Sequence, residues 1–290
     1  MKLFKAINNK LRKSFLKVFG IKTPVYIPTY YGDLLKDRTV LITGGASGIG
    51  FAIAEACVKH GAFVVIAARN EEKLKDACGR LNRKEENASY VLLDLLADDQ
   101  FENVIQTAIS KTPFKKIDTL INNAGVSQGR QFGHTFKKSL DVVFDTNVKG
   151  IYLFSQEFAR YLIRHGIKGN IHNICSSSSN RPAASPYSIS KWAEAGLTKG
   201  MAKSLIQNGI VVNAVAPGPT AAGMMMKTSD GDLSRETSPA GRFVTAEEVA
   251  NLSVFLISQA SRMIVGETVY MTGGMGTLTF DDVNYDSKLQ

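Results

Sequence analysis

The stretch RTVLITGGASGIG at residues 38–50 decides the fold of this chain. Its apolar and β-branched first half, at residues 39–42, predicts a short strand that is buried on both faces. Glycines follow, which let the backbone turn sharply and approach a ligand closely. A helix that begins near Ile49 would present unpaired N–H groups and its positive dipole end to a phosphate. The stretch therefore predicts a phosphate-binding turn, although an ordinary strand-to-helix turn has a similar glycine pattern.

Strands and helices alternate along the chain after this turn. Helical spacing of apolar residues predicts helices over residues 49–60, 71–82 and 98–110, and Gly61 is placed to end the first of them. Apolar runs predict buried strands over residues 63–67, 90–93 and 119–121. Such alternation implies right-handed βαβ units and a parallel sheet with helices on both faces. We therefore expect an α/β fold with one doubly wound sheet and no second domain.

The positive charge of the chain is concentrated at its beginning. The composition, with 44% hydrophobic and 21% charged residues, is ordinary for a globular protein. Of the formal net charge of +9, residues 1–22 contribute +7 and contain no acidic residue, which leaves +2 for the remaining 268 residues. A nearly neutral body disfavours nucleic-acid binding as the function of the fold.

The same basic segment has apolar residues at helical spacing. One side of the helix would carry Leu3, Phe4, Ile7, Leu11, Phe15, Val18 and Phe19. This amphipathic helix would either lie in the surface of an anionic membrane or pack on its own domain or on a neighbouring subunit. The chain has no apolar run near the roughly 18 residues that cross a bilayer and no signal-peptide pattern, so we expect a cytoplasmic protein. The expected division is an arm and connector at 1–35, a nucleotide-binding domain at 36–276 and a tail at 277–290.

The cysteines and histidines indicate structural roles. Cys57, Cys78 and Cys175 are odd in number and unevenly spaced, which argues against a disulfide framework. No Cys/His cluster has metal-ligand spacing, so we expect no metal site. We expect His60 to cap the end of its helix and the remaining histidines to be structural or surface residues, namely His134, His165 and His172.

In a doubly wound sheet the ligand lies beyond the carboxyl ends of the strands. The second strand is followed by Arg69, where an acidic residue would bind the ribose 2′-hydroxyl of NAD. A cation there fits a 2′-phosphate and predicts NADP(H), the alternative being a surface arginine without a ligand. Asp94, after the third strand, is expected either to accept from the adenine amino group or to cap the following helix. Small polar residues at 122–125 suit a backbone that passes close to the cofactor.

Tyr187 and Lys191 lie four residues apart in YSISK, which places both on the same face of a helix. A nearby ammonium stabilises a phenolate relative to a neutral phenol, so the pair suits a tyrosine that transfers protons near the operating pH. Taken alone, this spacing is also common for two surface residues of a helix.

Together these motifs resemble the classical short-chain dehydrogenase/reductase family, over residues 36–276. The resemblance rests on TGGASGIG at 43–50, NNAG at 122–125, NVKG at 147–150, a serine-rich strand end at 176–179, YSISK at 187–191, APGP at 216–219, GRFVTAEEVA at 241–250, FLIS at 255–258 and GETVYMTGG at 266–274. It implies a Rossmann-like fold and an NAD(P)-dependent oxidoreductase that interconverts a carbonyl and a secondary alcohol by hydride transfer.

The resemblance also implies the roles of individual residues. Tyr187 would be the general acid/base, Lys191 would favour its ionisation and hold the nicotinamide ribose, and Asn147 would keep a water in the proton relay. Ser176 would polarise the substrate carbonyl, but it lies only eleven residues before Tyr187, so Ser177 or Ser178 remain alternatives. The residues expected to bind the cofactor are Gly44, Ser47, Gly48, Ile49, Gly50, Arg69, Asp94, Leu95, Asn123, Ala124, Gly125, Tyr187, Lys191, Pro217, Gly218 and Thr220.

Substrate and assembly are less constrained by the sequence. The short segment between Pro217 and Arg242 predicts an open substrate mouth, which residues Met224–Met226 would line unless they pack inside. By resemblance, helices at about 138–164 and 187–207 would form a homo-oligomer, and a small-molecule carbonyl or alcohol would be the substrate. A catalytically silent nucleotide-binding protein of the same fold is the alternative function, which the complete set of Asn147, Ser176, Tyr187 and Lys191 disfavours.

Overall fold

The structure, a computed structural model, describes residues 32–83, 85–128, 132–221 and 233–279. Three predictions lie wholly or largely outside these residues: the amphipathic helix of residues 1–22, the substrate mouth at Met224–Met226 and the tail at 277–290. The division of the chain at residues 35 and 276 stays a prediction.

The centre of the molecule is a seven-stranded parallel sheet. The described residues form nine strands, of which seven belong to this sheet: β1 (Thr39–Thr43), β2 (Phe63–Ala68), β3 (Ala88–Leu92), β4 (Thr119–Asn122), β5 (Asn170–Ile174), β6 (Val211–Pro217), β7 (Thr220–Ala221), β8 (Val244–Thr245) and β9 (Thr268–Met271). The order in the large sheet is β3-β2-β1-β4-β5-β6-β9, while β7 and β8 pair separately. All pairings in the large sheet are parallel, which confirms the predicted doubly wound architecture.

Helices cover both faces of this sheet. They are α1 (Gly48–Lys59), α2 (Glu71–Leu81), α3 (Phe101–Ser110), α4 (Lys137–Phe144), α5 (Ile151–Arg164), α6 (Pro186–Leu205) and α7 (Ala246–Ile257). Neighbouring residues of β1 point to opposite faces, as the period of a strand requires. Ile42 packs in the cluster with α1, α2 and α7, whereas Leu41 packs in the cluster with α3, α5 and α6. The two clusters make a core on each side of the sheet.

Local signals in the sequence set several helix ends. Asn70 accepts a hydrogen bond from the N–H of Lys73 and so caps α2. Ser185 forms a capping box with Ser188 at the start of α6, where Pro186 takes the first helical position. At the carboxyl end of α1, His60 is the C-cap residue, as predicted, and Gly61 follows with φ +87°. At these capped ends the predicted boundaries lie within one residue of those in the structure.

Three sequence predictions need correction. The helix expected over 138–164 is interrupted by a π-helical turn, Asp145–Gly150, between α4 and α5. The third strand covers Ala88–Leu92 rather than residues 90–93. Asp94 does not cap the next helix, because the short 3-10 turn that begins at Asp98 has Ala97 at its N-cap and no side-chain cap.

A polar network closes the amino edge of the sheet. The Arg38 guanidinium donates to Asp118 Oδ1 over 2.5 Å, to Thr119 Oγ1 over 2.7 Å and to Asn170 Oδ1 over 2.8 Å. Its remaining nitrogen donates to the carbonyl of Ile257, and Asp118 Oδ2 accepts from the backbone N–H of Thr39. The network therefore ties β1, β4, β5 and the end of α7 together.

Three further findings concern membrane-spanning helices, metal sites and cysteines. Within the described part of the chain, no helix combines the length and apolar character needed to cross a membrane. The same residues contain no group of three or more His, Cys, Asp or Glu that could hold a metal ion. Cys57 and Cys175 are buried packing residues, and burial raises the pKa of the Cys57 thiol to about 12.

Candidate active site

The strand order reverses beside β1, and this is the place where a doubly wound sheet opens a crevice at its carboxyl edge. Thr43, the last residue of β1, lies in register with Asn122, the last residue of β4. The loops that leave these two strands therefore begin side by side and define the crevice.

The glycine turn after β1 has the geometry of an anion site. Gly44 and Gly48 have φ of +68° and +57°, in the left-handed region that favours glycine. Ser47 is the N-cap residue of α1, but its side chain accepts no hydrogen bond from the helix that it precedes. The first N–H groups of α1 thus keep their capacity to bind an anion.

The NNAG segment holds this turn in place. Thr43 Oγ1 accepts from the backbone N–H groups of Asn123 and Ala124, each over 3.0 Å. In return, Asn123 Nδ2 donates to the carbonyls of Thr43 over 3.0 Å and Gly44 over 3.2 Å. A side chain on Gly50 would collide with Asn123 Nδ2 and with the Gly44 carbonyl. Sequence reasoning did not predict a role for Thr43. The available signal was its position as the last residue of β1, where the loops after β1 and β4 begin side by side.

Three predicted cofactor residues follow the outer strands. Arg69 is exposed directly after β2. Asp94 is exposed after β3 and its Oδ1 accepts from the N–H of Leu96 over 3.1 Å, which forms a local turn. Leu95 is buried, and its carbonyl lies so close to Gly150 that a side chain at that glycine would not fit. Leu95 therefore also joins the loop after β3 to the π-helical turn.

The predicted residues after β6 form a tight turn. Pro217 ends β6, the N–H of Gly218 donates to the carbonyl of Met271 over 2.8 Å, and Thr220 Oγ1 donates to the carbonyl of Gly218 over 2.9 Å. This turn continues the carboxyl edge towards β9.

Tyr187 and Lys191 lie in the first two turns of α6, beside the end of β5. Lys191 is buried, with 4% of its surface exposed, and its Nζ donates to the carbonyl of Ile174 over 2.9 Å. The same Nζ is 5.9 Å from the centre of the Tyr187 ring. The ammonium is thus fixed against the sheet on the same helix face as the phenol.

A residue that sequence reasoning missed completes this arrangement. Glu194 Oε2 accepts from Lys191 Nζ over 2.6 Å, and its side chain has no solvent exposure. Its other oxygen, Oε1, is buried and has no hydrogen-bond partner among the described residues. The available signal was the spacing, because a Glu three residues after a Lys lies on the same helix face.

Burial and charge act together on this pair. Burial is the largest single influence on Lys191 and disfavours its charged form, but the attractions of Glu194, Tyr187 and Cys175 together outweigh it and raise the pKa of Lys191 above its ordinary value. Burial also raises the pKa of the Glu194 carboxyl, against the opposing effect of the ammonium. Lys191 therefore keeps its proton throughout the physiological range.

Asn147 lies in the π-helical turn, a feature that often marks functional sites. Its Oδ1 accepts from the N–H of Val126 over 2.9 Å, and its Nδ2 donates to the Val126 carbonyl over 2.9 Å and to Ser190 Oγ over 3.1 Å. Gly125 lies between Asn147 and Lys191, since a Cβ at that glycine would be 3.3 Å from Asn147 Oδ1 and 3.9 Å from Lys191 Nζ. The side chain of Asn147 thus joins the loop after β4 to α6.

Ser176 is the first serine after β5 and caps a short 3-10 turn, Ser177–Asn180. Its Oγ accepts from the N–H of Ser178 over 3.1 Å and donates to Ser178 Oγ over 3.2 Å. Ser177 is buried, whereas Ser176 and Ser178 are partly exposed. Of the three candidate serines, Ser176 and Ser178 have hydroxyls that are linked and accessible, and Ser177 is the least accessible.

These residues fit a nicotinamide dinucleotide. The start of α1 has no side-chain cap, and glycines keep side chains away from the crevice at residues 44, 50 and 125. The buried ammonium of Lys191 and the phenol of Tyr187 lie at the same edge. An anion-binding turn at one end and a donor pair at the other match a ligand with a pyrophosphate and a ribose.

Known proteins resemble this chain in sequence and in fold. The sequence model of the short chain dehydrogenase family matches residues 38–233. The chain is 34% identical over 247 residues to gluconate 5-dehydrogenase of Gluconobacter oxydans, an alignment that covers 83% of this chain and 95% of that enzyme.

Two solved structures have similar folds. A gluconate 5-dehydrogenase from Burkholderia cenocepacia J2315 in complex with NADP and tartrate is 30% identical, has a TM-score of 0.75, and covers 84% of this chain and 97% of its own. A 3-ketoacyl-(acyl-carrier-protein) reductase from Brucella melitensis complexed with NADH is 27% identical, has a TM-score of 0.74, and covers 84% of this chain and 100% of its own. The first of these structures contains NADP and the second contains NADH.

Proposed function

Because the chain belongs to the short-chain dehydrogenase/reductase family, an oxidoreductase family that uses NAD(P), we propose that it interconverts a carbonyl and a secondary alcohol with NADP(H), and that Tyr187 is its general acid/base. One observation carries the proposal. Lys191 Nζ is held by the Ile174 carbonyl at the end of β5 and lies 5.9 Å from the ring of Tyr187. A buried cation beside a phenol favours proton transfer by that phenol.

When bound, the nicotinamide supplies the hydride for reduction or accepts it for oxidation. During reduction, negative charge develops on the substrate oxygen, so donors that are fixed beforehand contribute most of the stabilisation. Tyr187 and Ser176 are the donors of this proposal. Ser176 is preferred to Ser178 because it is anchored at the end of β5, where its carbonyl also accepts from Ser179.

Tyr187 gives up its proton as the substrate oxygen becomes an alcohol, and it must then recover a proton from its surroundings. Lys191 carries a proton at Nζ next to the ring of Tyr187. Asn147 lies near the same ammonium, because only Gly125 lies between the two side chains. In this proposal Lys191 stabilises the phenolate and orients the ribose, and the segment around Asn147 holds the water through which the proton is replaced.

The preference for NADP(H) is proposed from Arg69. This residue follows β2, where the ribose of a dinucleotide lies in a doubly wound fold, and it is exposed. Its side chain could pair with a 2′-phosphate, and Asn70, which caps α2, offers no carboxylate to bind a free 2′-hydroxyl. The NADP complex of the Burkholderia relative is compatible with this preference.

We further propose a homo-oligomer built on α4, α5 and α6. These helices expose large apolar side chains, namely Leu140, Tyr152, Ile163, Ile189 and Trp192. Such a surface is typical of an interface. Light scattering coupled to gel filtration should give a mass of at least twice 31.5 kDa, and a monomer at micromolar concentration would contradict the proposal.

A substrate panel tests the proposed activity. The oxidation of NADPH and NADH is followed with carbonyl compounds that include a 3-oxoacyl thioester, and the reverse reaction with gluconate, because the relatives named above act on such compounds. We expect turnover with at least one compound by the wild-type protein. A protein that binds the cofactor but turns over none of them would favour the catalytically silent alternative.

A further inference from the structure

The catalytic lysine of the proposed site is not a free cation. Glu194 Oε2 lies 2.6 Å from Lys191 Nζ, and the two side chains are 0% and 5% exposed. A carboxylate at this distance opposes the field of the ammonium at every atom nearby. The phenol of Tyr187 therefore experiences a pair of opposite charges rather than an isolated positive charge.

We propose that Glu194 is a positioning residue that anchors the ammonium of Lys191 and partly cancels its positive field at Tyr187. This inference rests on the proposed function, because it assigns a second role within the same site. Glu194 acts through Lys191 and does not itself touch the reacting atoms.

The anchoring role follows from the contacts of Lys191. Its Nζ donates to the Ile174 carbonyl over 2.9 Å and to Glu194 Oε2 over 2.6 Å. Two fixed acceptors, one on the sheet and one on α6, leave the third N–H of the ammonium as the donor that remains for a ligand. The direction of that donor is set by the two bonds that are already made.

The charge role follows from the burial of both partners. An ion pair is screened little when it is withdrawn from solvent, so the carboxylate reduces the net field of the ammonium strongly. Glu194 Oε1 also lacks a hydrogen-bond partner among the described residues, although buried carboxylates in structural pairs normally have both oxygens bonded. Packing alone would favour an apolar residue at this position.

Other titratable groups near the pair do not replace this effect. The charges that act on Lys191 are those of Glu194, Tyr187 and Cys175, and burial keeps the pKa of the Cys175 thiol well above its ordinary value. Strand β6 and the 3-10 turn Ser177–Asn180, which pack on α6, contain no ionisable side chain. Helix α4 and the π-helical turn contribute Lys137, Asp141 and Lys149, which are engaged in exposed ion pairs. Lys138 and Asp145 on these elements are not among the charges that act on the pair.

The test begins with Glu194→Gln, which keeps the shape and an acceptor oxygen but removes the charge. Without the carboxylate, the uncompensated ammonium should favour the phenolate more strongly. In the direction of alcohol oxidation, the rising limb of kcat/KM against pH should therefore move to lower pH by about one unit. The dissociation constant of NADPH should change by less than about threefold, because the amide oxygen can still anchor Lys191.

Glu194→Leu separates the two roles. It removes both the charge and the anchor, so it should move the pH limb in the same direction and also weaken NADPH binding by about tenfold, roughly the value of one hydrogen bond to a charged group. Glu157→Gln is the matched control, because Glu157 pairs with Arg160 at the same spacing on α5, outside the site. It should leave the pH limb and NADPH binding unchanged.

A readout without turnover distinguishes this inference from the proposed function. Ultraviolet absorbance follows tyrosine ionisation in the ligand-free protein, and the difference from Tyr187→Phe isolates the signal of Tyr187. The midpoint of that signal should lie about one pH unit lower in Glu194→Gln than in the wild type.

A different result would contradict each of three claims: the charge role of Glu194, its anchoring role and the proposed activity. An unchanged midpoint, or one that moves to higher pH, would overturn the charge role of Glu194 even if the enzyme turns over its substrate. Equal NADPH binding by the Leu and Gln variants would overturn the anchoring role. If the absorbance midpoint shifts as expected but no substrate is turned over, the inference about the charges stands and the proposed activity fails.

Discussion

Two ion pairs lie at opposite edges of the same sheet and differ in how fully their polar atoms are bonded. At the amino edge, every polar atom of Arg38 and Asp118 has a partner. At the carboxyl edge, Lys191 and Glu194 are more deeply buried, yet Glu194 Oε1 has no partner among the described residues. Both pairs bind a residue at one end of β5, Asn170 and Ile174 respectively.

We propose that this difference separates a structural pair from a functional one. A fully bonded buried pair gains enough from its contacts to offset the loss of hydration, and its value lies in holding strands together. A pair with an unbonded oxygen gains less, so stability is a poor explanation for it. On this proposal, the amino edge serves the fold and the carboxyl edge serves chemistry.

The largest expected effect comes from Tyr187→Phe. Removal of the hydroxyl removes the proposed proton donor, so kcat for carbonyl reduction should fall by about 10²–10⁴-fold. The aromatic ring is retained, so the midpoint of thermal unfolding and the dissociation constant of NADPH should change little. Steady-state kinetics and calorimetry measure these quantities, and a variant with more than a tenth of the wild-type kcat would contradict the role of Tyr187.

Arg38→Met should have the opposite profile. It leaves the Asp118 carboxylate buried without its cation, which should lower the free energy of unfolding by about 3–5 kcal/mol. Turnover per folded molecule should remain within twofold, because the residue lies at the far edge of the sheet. Urea denaturation together with activity at low temperature tests both statements. A large loss of turnover in the folded variant would show that the two edges are not separable.

His172 lies on β5 between the two pairs. Because it is buried, we expect the free energy of unfolding to fall in acid. Burial lowers the pKa of His172 to about 3, so below pH 6.5 the unfolded chain binds a proton that the folded protein excludes. Stability from this residue is complete above pH 6.5 and is lost as the pH falls towards 3, by up to about 1.4 kcal/mol per pH unit. His172→Gln, which retains a polar partner for Ser253, should show a shallower slope in denaturation between pH 6 and pH 4. An equal slope would contradict the prediction.

The smallest effect concerns cofactor choice. Arg69→Ala should raise KM for NADPH by about tenfold, roughly one charge-assisted hydrogen bond, and leave KM for NADH unchanged. Arg83→Ala is the control, since Arg83 is also exposed but lies beyond α2. Equal changes in the KM values for both cofactors would show that Arg69 does not bind a 2′-phosphate.

Sequence reasoning predicted the parts of the fold that local patterns determine. The apolar run of β1, the helical spacing of α1 and the caps of α2 and α6 act over a few residues, so they can be read directly. The interruption of the predicted long helix at Asp145–Gly150 was missed. Its cause is tertiary, because Gly150 packs against Leu95 and Asn147 bonds to Val126 and Ser190, contacts that no local pattern contains.

The candidate site was predicted by residue type but not by its electrostatics. The spacing of Tyr187 and Lys191 indicated a shared helix face, and the structure has that arrangement. The partner of Lys191 remained unseen because a Glu on a helix is ordinarily exposed, and its burial depends on how α6 packs against β5 and β6. The same holds for Arg38, whose partners Asp118 and Asn170 are distant in sequence.

The double variant Lys191→Met/Glu194→Gln tests the central claim most directly, with the free energy of unfolding and kcat/KM measured on the same preparation. Both charges are removed together, so no unpaired charge stays buried, and stability should change by less than about 1–2 kcal/mol. We predict that kcat/KM nevertheless falls at least about a hundredfold, because Tyr187 loses its neighbouring cation. A variant that loses several kcal/mol of stability and retains its kcat/KM would contradict the account, since the carboxyl-edge pair would then be structural, like the pair of Arg38 and Asp118.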